Sequence, residues 1–306
     1  MSIEYIFSQM IILFSVLILG YISNKVGFID GVANKKMSAI VLNIALPCKM
    51  LSSLNEADCT QQDILVMIGV SAAVFAFLIL FSKFVPKVLV TKGNEKHVLE
   101  FLTVFSNNGF MGYPVVESIL GASALVYASI YDMFTAILLF SYGVYLFQKS
   151  KSGNNQIEWK KMISTASVAG LMTMVLAAFQ VRLPNVMYEV LLLVGNSATP
   201  LSMLVIGSTL AVIPLGMVFK GWRVYGFSVI RLLVVPSIVY LIFKNFISNP
   251  MILGVIVLVT AMPSAATTVM FAEQYESNAS YAAQHVFITT LLAVLSIPIV
   301  GFILFS

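Results

Sequence analysis

"SNNGFMGYP", residues 106–114, decides how this chain is read. It lies inside an apolar segment, 97–119, of the length that crosses a membrane, yet it holds two adjacent Asn, two Gly and a Pro. Pro removes a backbone donor and its ring clashes with the preceding turn. Gly lowers helix preference by about 1 kcal/mol relative to Ala. Backbone groups left bare in lipid are costly, so a break survives only where protein or a wet cavity satisfies it. The stretch predicts a broken helix with chemistry at the break.

The rest of the chain sets that segment in a membrane. Of 306 residues, 59% are hydrophobic and 10% charged, and the mean hydropathy is +0.98. A soluble domain carries about 25% charged residues. Apolar runs of about 20 residues, enough to cross the hydrocarbon core, recur throughout. The expected fold class is an all-α polytopic membrane protein without a soluble domain. Cys48 and Cys59 make neither a disulfide framework nor a CxxC pair. The first run, "YIFSQMIILFSVLILG", lacks a basic leader and a small-residue cleavage site, so it reads as a retained span.

Ten spans are expected, at roughly 5–24, 36–54, 63–84, 97–119, 122–148, 161–181, 185–211, 221–244, 250–274 and 279–305. The longest connection is the polar "KSKSGNNQIEWKK" at 149–161, near the midpoint. Lys25, Lys35, Lys36, Lys83, Lys87, Lys92, Lys96, Lys149, Lys151, Lys160, Lys161, Lys220 and Arg223 fall in the loops after spans one, three, five and seven; these are thirteen of the 17 basic residues. The loop after span two holds Glu56, Asp58 and Asp63 instead. The positive-inside rule then puts the odd loops in the cytoplasm and both termini outside. Basic residues in loops between spans give no reason to expect nucleic acid as a partner.

The halves resemble each other. Span two reads "NIALPCKML" from Asn43 and span seven "NSATPLSML" from Asn196. Asn43 matches Asn196 and Pro47 matches Pro200, with Ala, Met and Leu matched as well, at an offset of half the chain. Five spans per half is an odd number, so the second half inserts upside down. That is the inverted-repeat plan of secondary transporters. The expected division is 1–148, a cytoplasmic linker at 149–160, and 161–306.

The same offset brings the span-four motif onto "TAMPSAATT", 260–268, in span nine. Paired breaks in corresponding spans point to a transporter binding site. Half-helices beginning near Gly109 and at Pro263 would expose free N–H groups and the positive end of a helix dipole, which attract anions. Asn107 and Asn108 add amide donors; Ser264, Thr267 and Thr268 add hydroxyls. Pro114 ends the first break. The plainer alternative is that the two Asn only cap freed backbone, and that Gly109 and Gly112 only permit close packing.

"FSNNGFMGYPVVESILG", "LNIALPCKMLSSL" and "TAMPSAATTVMFAEQYESNASYAA" resemble the auxin efflux carrier family, which includes bacterial malate- or malonate-permease-like members and the plant PIN-type auxin carriers. The similarity covers essentially the whole chain. It implies two inverted five-helix repeats, crossing broken helices four and nine, and a scaffold of spans one, two, six and seven beside a moving domain. The plant members' long cytoplasmic loop is absent, which fits a bacterial member in the plasma membrane and does not point to auxin as substrate.

Ionisable residues within spans are functional candidates, since burying one costs about 2.5 kcal/mol or more. Asp132, one residue after Tyr131, lies deep in span five. By the resemblance, span five packs on broken span four, so this pair would line the cavity. Asp132 reads as a proton carrier, as a partner of Asn107 or Asn108, or as a structural carboxyl. Arg231 would form a buried pair with it. Lys49 would meet an anionic substrate or snorkel to the interface. Glu100 and Glu117, nearer span ends, read as solvated. His285 reads as a titrating group or a packing residue. Neither a metal nor a cofactor is expected.

No second catalytic Asp, GxSxG elbow, HExxH or Asp-rich diphosphate cluster is present, so the chain is not expected to be an enzyme. The expected function is secondary transport of a small organic anion, a carboxylate, by alternating access, with H+ as candidate coupling ion and a homodimer as candidate assembly. The alternatives are a sodium-coupled organic-anion symporter of the bile-acid type and a channel or sensor on the same fold.

Overall fold

The computed structural model of the chain describes residues 3–91, 93–148 and 164–305. The expected linker, 149–160, lies outside the described residues. In chain order the helices are α1 (Ile3–Lys25), α2 (Gly31–Asn55), α3 (Gln61–Ser82), α4 (Glu95–Val104), α5 (Tyr113–Leu120), α6 (Ala122–Gln148), α7 (Thr165–Ala178), α8 (Asn185–Val212), α9 (Trp222–Phe243), α10 (Pro250–Ala261), α11 (Thr267–Gln274) and α12 (Ala279–Phe305). Among the described residues there is no strand, and Ser106 and Ser264 form an isolated antiparallel bridge.

Seven of these helices are long and apolar enough to span a membrane: α1, α2, α3, α6, α8, α9 and α12. The helices α7 and α10 are apolar but shorter. The chain is thus an all-helical polytopic membrane protein. Its surface agrees: large apolar residues such as Ile11, Ile18, Leu65, Leu80, Val186 and Leu193 stand exposed along the helices, as they do against lipid. Buried polar residues such as Ser71, Thr173 and Ser202 face the interior.

Helix starts follow from side-chain capping. Thr60 Oγ1 accepts from Asp63 N–H at 3.1 Å while Asp63 Oδ2 accepts from Thr60 N–H at 3.0 Å, a reciprocal cap at the start of α3. Asn249 caps α10 by accepting from Met251 N–H, and its Nδ2 donates to Asp63 Oδ1 at 2.8 Å, tying the starts of α3 and α10 together. Within the spans, prolines shape the helices. Pro47, Pro114 and Pro236 each follow a single π-turn, at Val41–Ala45, Asn108–Gly112 and Ile230–Val234. In each, the residue before the Pro donates to a carbonyl five residues back, from Leu46 to Val41, Tyr113 to Asn108 and Val235 to Ile230. The wider turn makes room for a ring that would clash in a regular helix.

Close packing depends on glycine where α1 meets α8. A Cβ on Gly207 would collide with the Leu17 carbonyl oxygen, and one on Gly20 with that of Leu204. Small residues let helix backbones approach in lipid, where association relies on contact rather than on a hydrophobic drive.

Candidate functional site

Two interruptions between helices meet at one point. After α4 the chain is extended at Phe105, then turns through Asn107 into the π-turn and α5. After α10 it is extended at Met262 and re-enters helix at α11. The two extended pieces bond to each other. Asn107 N–H donates to the Pro263 carbonyl oxygen at 2.8 Å, and Ala265 N–H donates to that of Phe105 at 3.0 Å. Pro263 cannot donate, but its carbonyl is the acceptor the crossing uses. Each break supplies the partners that the other lost, which is how an interruption is tolerated at membrane depth.

Side chains complete the junction. Ser264 Oγ donates to the Leu102 carbonyl oxygen at 3.0 Å, satisfying a freed acceptor at the end of α4. Thr289 Oγ1 on α12 accepts from Ser264 N–H at 3.4 Å. Asn108 Oδ1 accepts from Ser106 Oγ at 3.0 Å, and Asn108 Nδ2 donates to Thr135 Oγ1 on α6 at 3.2 Å. Asn108 and Ser264 are therefore committed to the junction. The Asn107 side-chain amide, by contrast, makes no hydrogen bond to another described residue. The N–H groups of Gly109, Phe110, Ala266 and Thr267, at the two helix restarts, have no intrahelical acceptor.

The charged residues are arranged differently from expectation. Arg231 is fully buried but does not pair with Asp132. Its Nη1 donates to the Thr260 carbonyl oxygen at 2.5 Å, next to the end of α10. The physical reason is the break itself: it leaves carbonyls and the negative end of a helix dipole at Thr260, where a cation is favoured. Tyr131, the residue before Asp132, is buried. Its ring stacks on Phe75 with centroids 4.8 Å apart. The side chain beside Asp132 is Tyr113, from the motif itself.

Lys49 is 4% exposed and neither snorkels nor stands free. Its Nζ forms an ion pair with Glu117 on α5 and donates to Asn196 Oδ1 on α8 at 2.8 Å. Glu117 Oε2 accepts from Thr199 Oγ1 at 3.3 Å. The reading of Glu117 as merely solvated is corrected by this pairing. Glu100 is also buried, with Lys83 Nζ on its Oε2 at 2.6 Å. In both cases a carboxylate on a broken helix is neutralised by a Lys from a neighbouring segment. The matched Asn residues differ in use: Asn43 Nδ2 donates to the Ala39 carbonyl oxygen, and its Oδ1 accepts from Thr165 Oγ1. Pro47 is buried and Pro200 exposed on their helices.

His285 is apart from the crossing. Its ring packs on Tyr281 and Phe227, and Nδ1 bonds the Tyr281 carbonyl oxygen at 2.8 Å. It lines a 300 Å³ cavity with Lys220, Trp222 and Arg223. A second cavity, of 170 Å³, is lined by Leu54, Asp58, Cys59 and Arg182. Neither cavity touches the crossing. Reasoning from the sequence missed Thr135 and Thr289, single hydroxyl residues with no local signal. It also missed Ser106 and Tyr113, which lie in the motif itself.

A bundle of apolar helices with two interruptions bonded to each other, and buried polar groups at the interruption, is an arrangement that membrane transport proteins use. The chain belongs to the family described as membrane transport protein, the auxin efflux carrier family, which it matches over residues 5–300. It is 24% identical to an uncharacterized transporter of Methanocaldococcus jannaschii, covering 97% of this chain and 98% of that protein. It is 26% identical to an uncharacterized transporter of Methanothermobacter thermautotrophicus, covering 92% and 93%.

Proposed function

We propose that this protein is a secondary transporter of a small organic anion, a carboxylate, working by alternating access. The observation that carries the reading is the crossing at Asn107 and Pro263. Two helix restarts begin within a few residues of one shared bridge, each with N–H groups that have no intrahelical acceptor. Such ends favour negative charge. The carboxylate lies against Gly109 and Thr267, with the unbonded Asn107 amide as a further donor. Asn108 and Ser264 hold the backbone that presents these groups. Tyr131 and Asp132 border the site from α6, with H+ as coupling ion.

In this reading the chain makes ten crossings in two inverted five-helix repeats, 1–148 and 161–306. Packing is consistent with it: α1 packs on the second part of α8, and α7, its counterpart, packs on the second part of α2. The protein resides in a bacterial plasma membrane with both termini outside. Lys49 belongs to the contact between α2, α5 and α8 rather than to the anion.

The experiment is a thermal-shift screen of purified protein with mono- and dicarboxylates, followed by uptake under imposed proton or sodium gradients. A ligand that binds the native state raises apparent stability, by about 2.7 kcal/mol at a hundred times Kd. At least one carboxylate is expected to stabilise the protein and to be accumulated under a proton gradient. Stabilisation by none contradicts the substrate class. Accumulation under a sodium gradient alone favours the sodium-coupled alternative.

A further inference from the structure

The 300 Å³ cavity lies at one end of the bundle, where α4, α9 and α12 begin. Its rim holds Lys220, Arg223 and the largely exposed Trp222. Neither cation forms an ion pair with another described residue. Both stand at the start of α9, the end where a helix dipole disfavours positive charge, so the helix does not account for them. The turn that presents them is built: Gly221 takes φ +87°, and Gln284 Nε2 donates to the carbonyl oxygens of Val218 and Lys220.

The inner wall supplies a second, independent observation. His285 is fully buried, and its Nδ1 bonds the Tyr281 carbonyl oxygen. That bond puts the ring hydrogen on Nδ1, leaving Nε2 as a bare acceptor. Nε2 has no partner among the described residues. Glu95, also on the cavity wall, takes one bond from Asn278 Nδ2 at its Oε1. The cavity thus has cations at its mouth, the Glu95 carboxylate on its wall, and a lining histidine whose buried Nε2 lacks a partner among the described residues. A bare phosphate would answer the cations and leave the acceptors unmet. A phosphate ester carrying hydroxyls answers both.

We infer that this cavity binds a hydroxylated phosphate ester of the glycerol-phosphate type, with the phosphate on Lys220 and Arg223 and hydroxyls donating to His285 Nε2 and Glu95. The bilayer presents this chemistry as a phosphatidylglycerol headgroup, and Trp222 at the end of a span is placed for the interface. The soluble form is glycerol 3-phosphate.

Binding to the purified, detergent-solubilised protein is measured by thermal shift and native mass spectrometry. The probes are phosphatidylglycerol, phosphatidylmethanol, which keeps the charge and lacks the hydroxyls, phosphatidylcholine and glycerol 3-phosphate. Phosphatidylglycerol is expected to bind at least about tenfold more tightly than phosphatidylmethanol or phosphatidylcholine. The preference is expected to disappear in the Lys220→Gln/Arg223→Gln variant. Binding of glycerol 3-phosphate in place of the lipid, lost in the same variant, supports the site with a soluble source. Equal binding of phosphatidylmethanol, or phosphatidylglycerol binding unchanged in the double variant, overturns the inference.

Discussion

The backbone N–H of Asn107 donates to the carbonyl oxygen of Pro263 at 2.8 Å, across more than half the chain. This bond and its counterpart from Ala265 to Phe105 join the breaks of two distant helices into one structural unit. A perturbation at either break is therefore felt at both.

The adjacent Asn residues separate on this geometry. Asn108→Ala leaves Ser106 and Thr135 without their amide partner in a buried place, and is expected to cost about 1–3 kcal/mol of stability. Asn107→Ala removes an amide that bonds no described residue and is expected to leave the melting temperature near wild type. Denaturation of both variants in detergent checks this. Equal destabilisation would contradict the distinction.

Lys49 pairs with Glu117 while only 4% exposed. Lys49→Ala strands the carboxylate and is expected to destabilise by about 3 kcal/mol, the lower end for a broken buried pair because Glu117 keeps contact with the surroundings. The Lys49→Met/Glu117→Leu double variant is expected to recover much of that loss. A double-mutant cycle on thermal stability reads the coupling, and additive losses would mean that the pair carries no energy.

Arg231 and Asp132 are predicted to be uncoupled. Arg231→Met removes the cation that caps α10 at Thr260 and is expected to lower stability by about 1–2 kcal/mol. Asp132→Asn is expected to leave stability nearly unchanged and to abolish accumulation driven by a proton gradient while retaining substrate exchange. Uptake and melting temperature on the same preparations test both. Strong coupling between the two substitutions would restore a direct pair.

The charge bias predicts that position 153 is cytoplasmic. In a variant with Cys48 and Cys59 replaced by Ala and a single Cys at Gly153, an impermeant thiol reagent applied to intact cells is expected not to label. Efficient labelling would reverse the orientation.

Much of this was legible in the sequence because the signals are local. Pro, Gly and paired Asn at 106–114, and Pro263 with its small neighbours, marked where helices fail. The helices fall where the apolar runs lie, and the breaks where those residues cluster. What was not legible is which partner each polar group takes, since that depends on elements far apart in the chain. Asn108 looked as free as Asn107 until Thr135 was brought beside it. Arg231 looked like the natural mate of Asp132, because nothing in the sequence shows that the carbonyl of Thr260 lies nearer. Glu117 looked solvated because the approach of Lys49 depends on how α2 meets α5.

Substrate counterflow in proteoliposomes containing wild type or Asn107→Ala tests the central claim most directly. The wild type should exchange a labelled carboxylate saturably. Asn107→Ala, folded and reconstituted to the same level, should show its half-saturation raised by about tenfold to a hundredfold, the loss of one hydrogen bond to a charged group. Carboxylate exchange with unchanged half-saturation in Asn107→Ala, or no carboxylate exchange by the wild type, would contradict an anion site at the crossing of the two breaks.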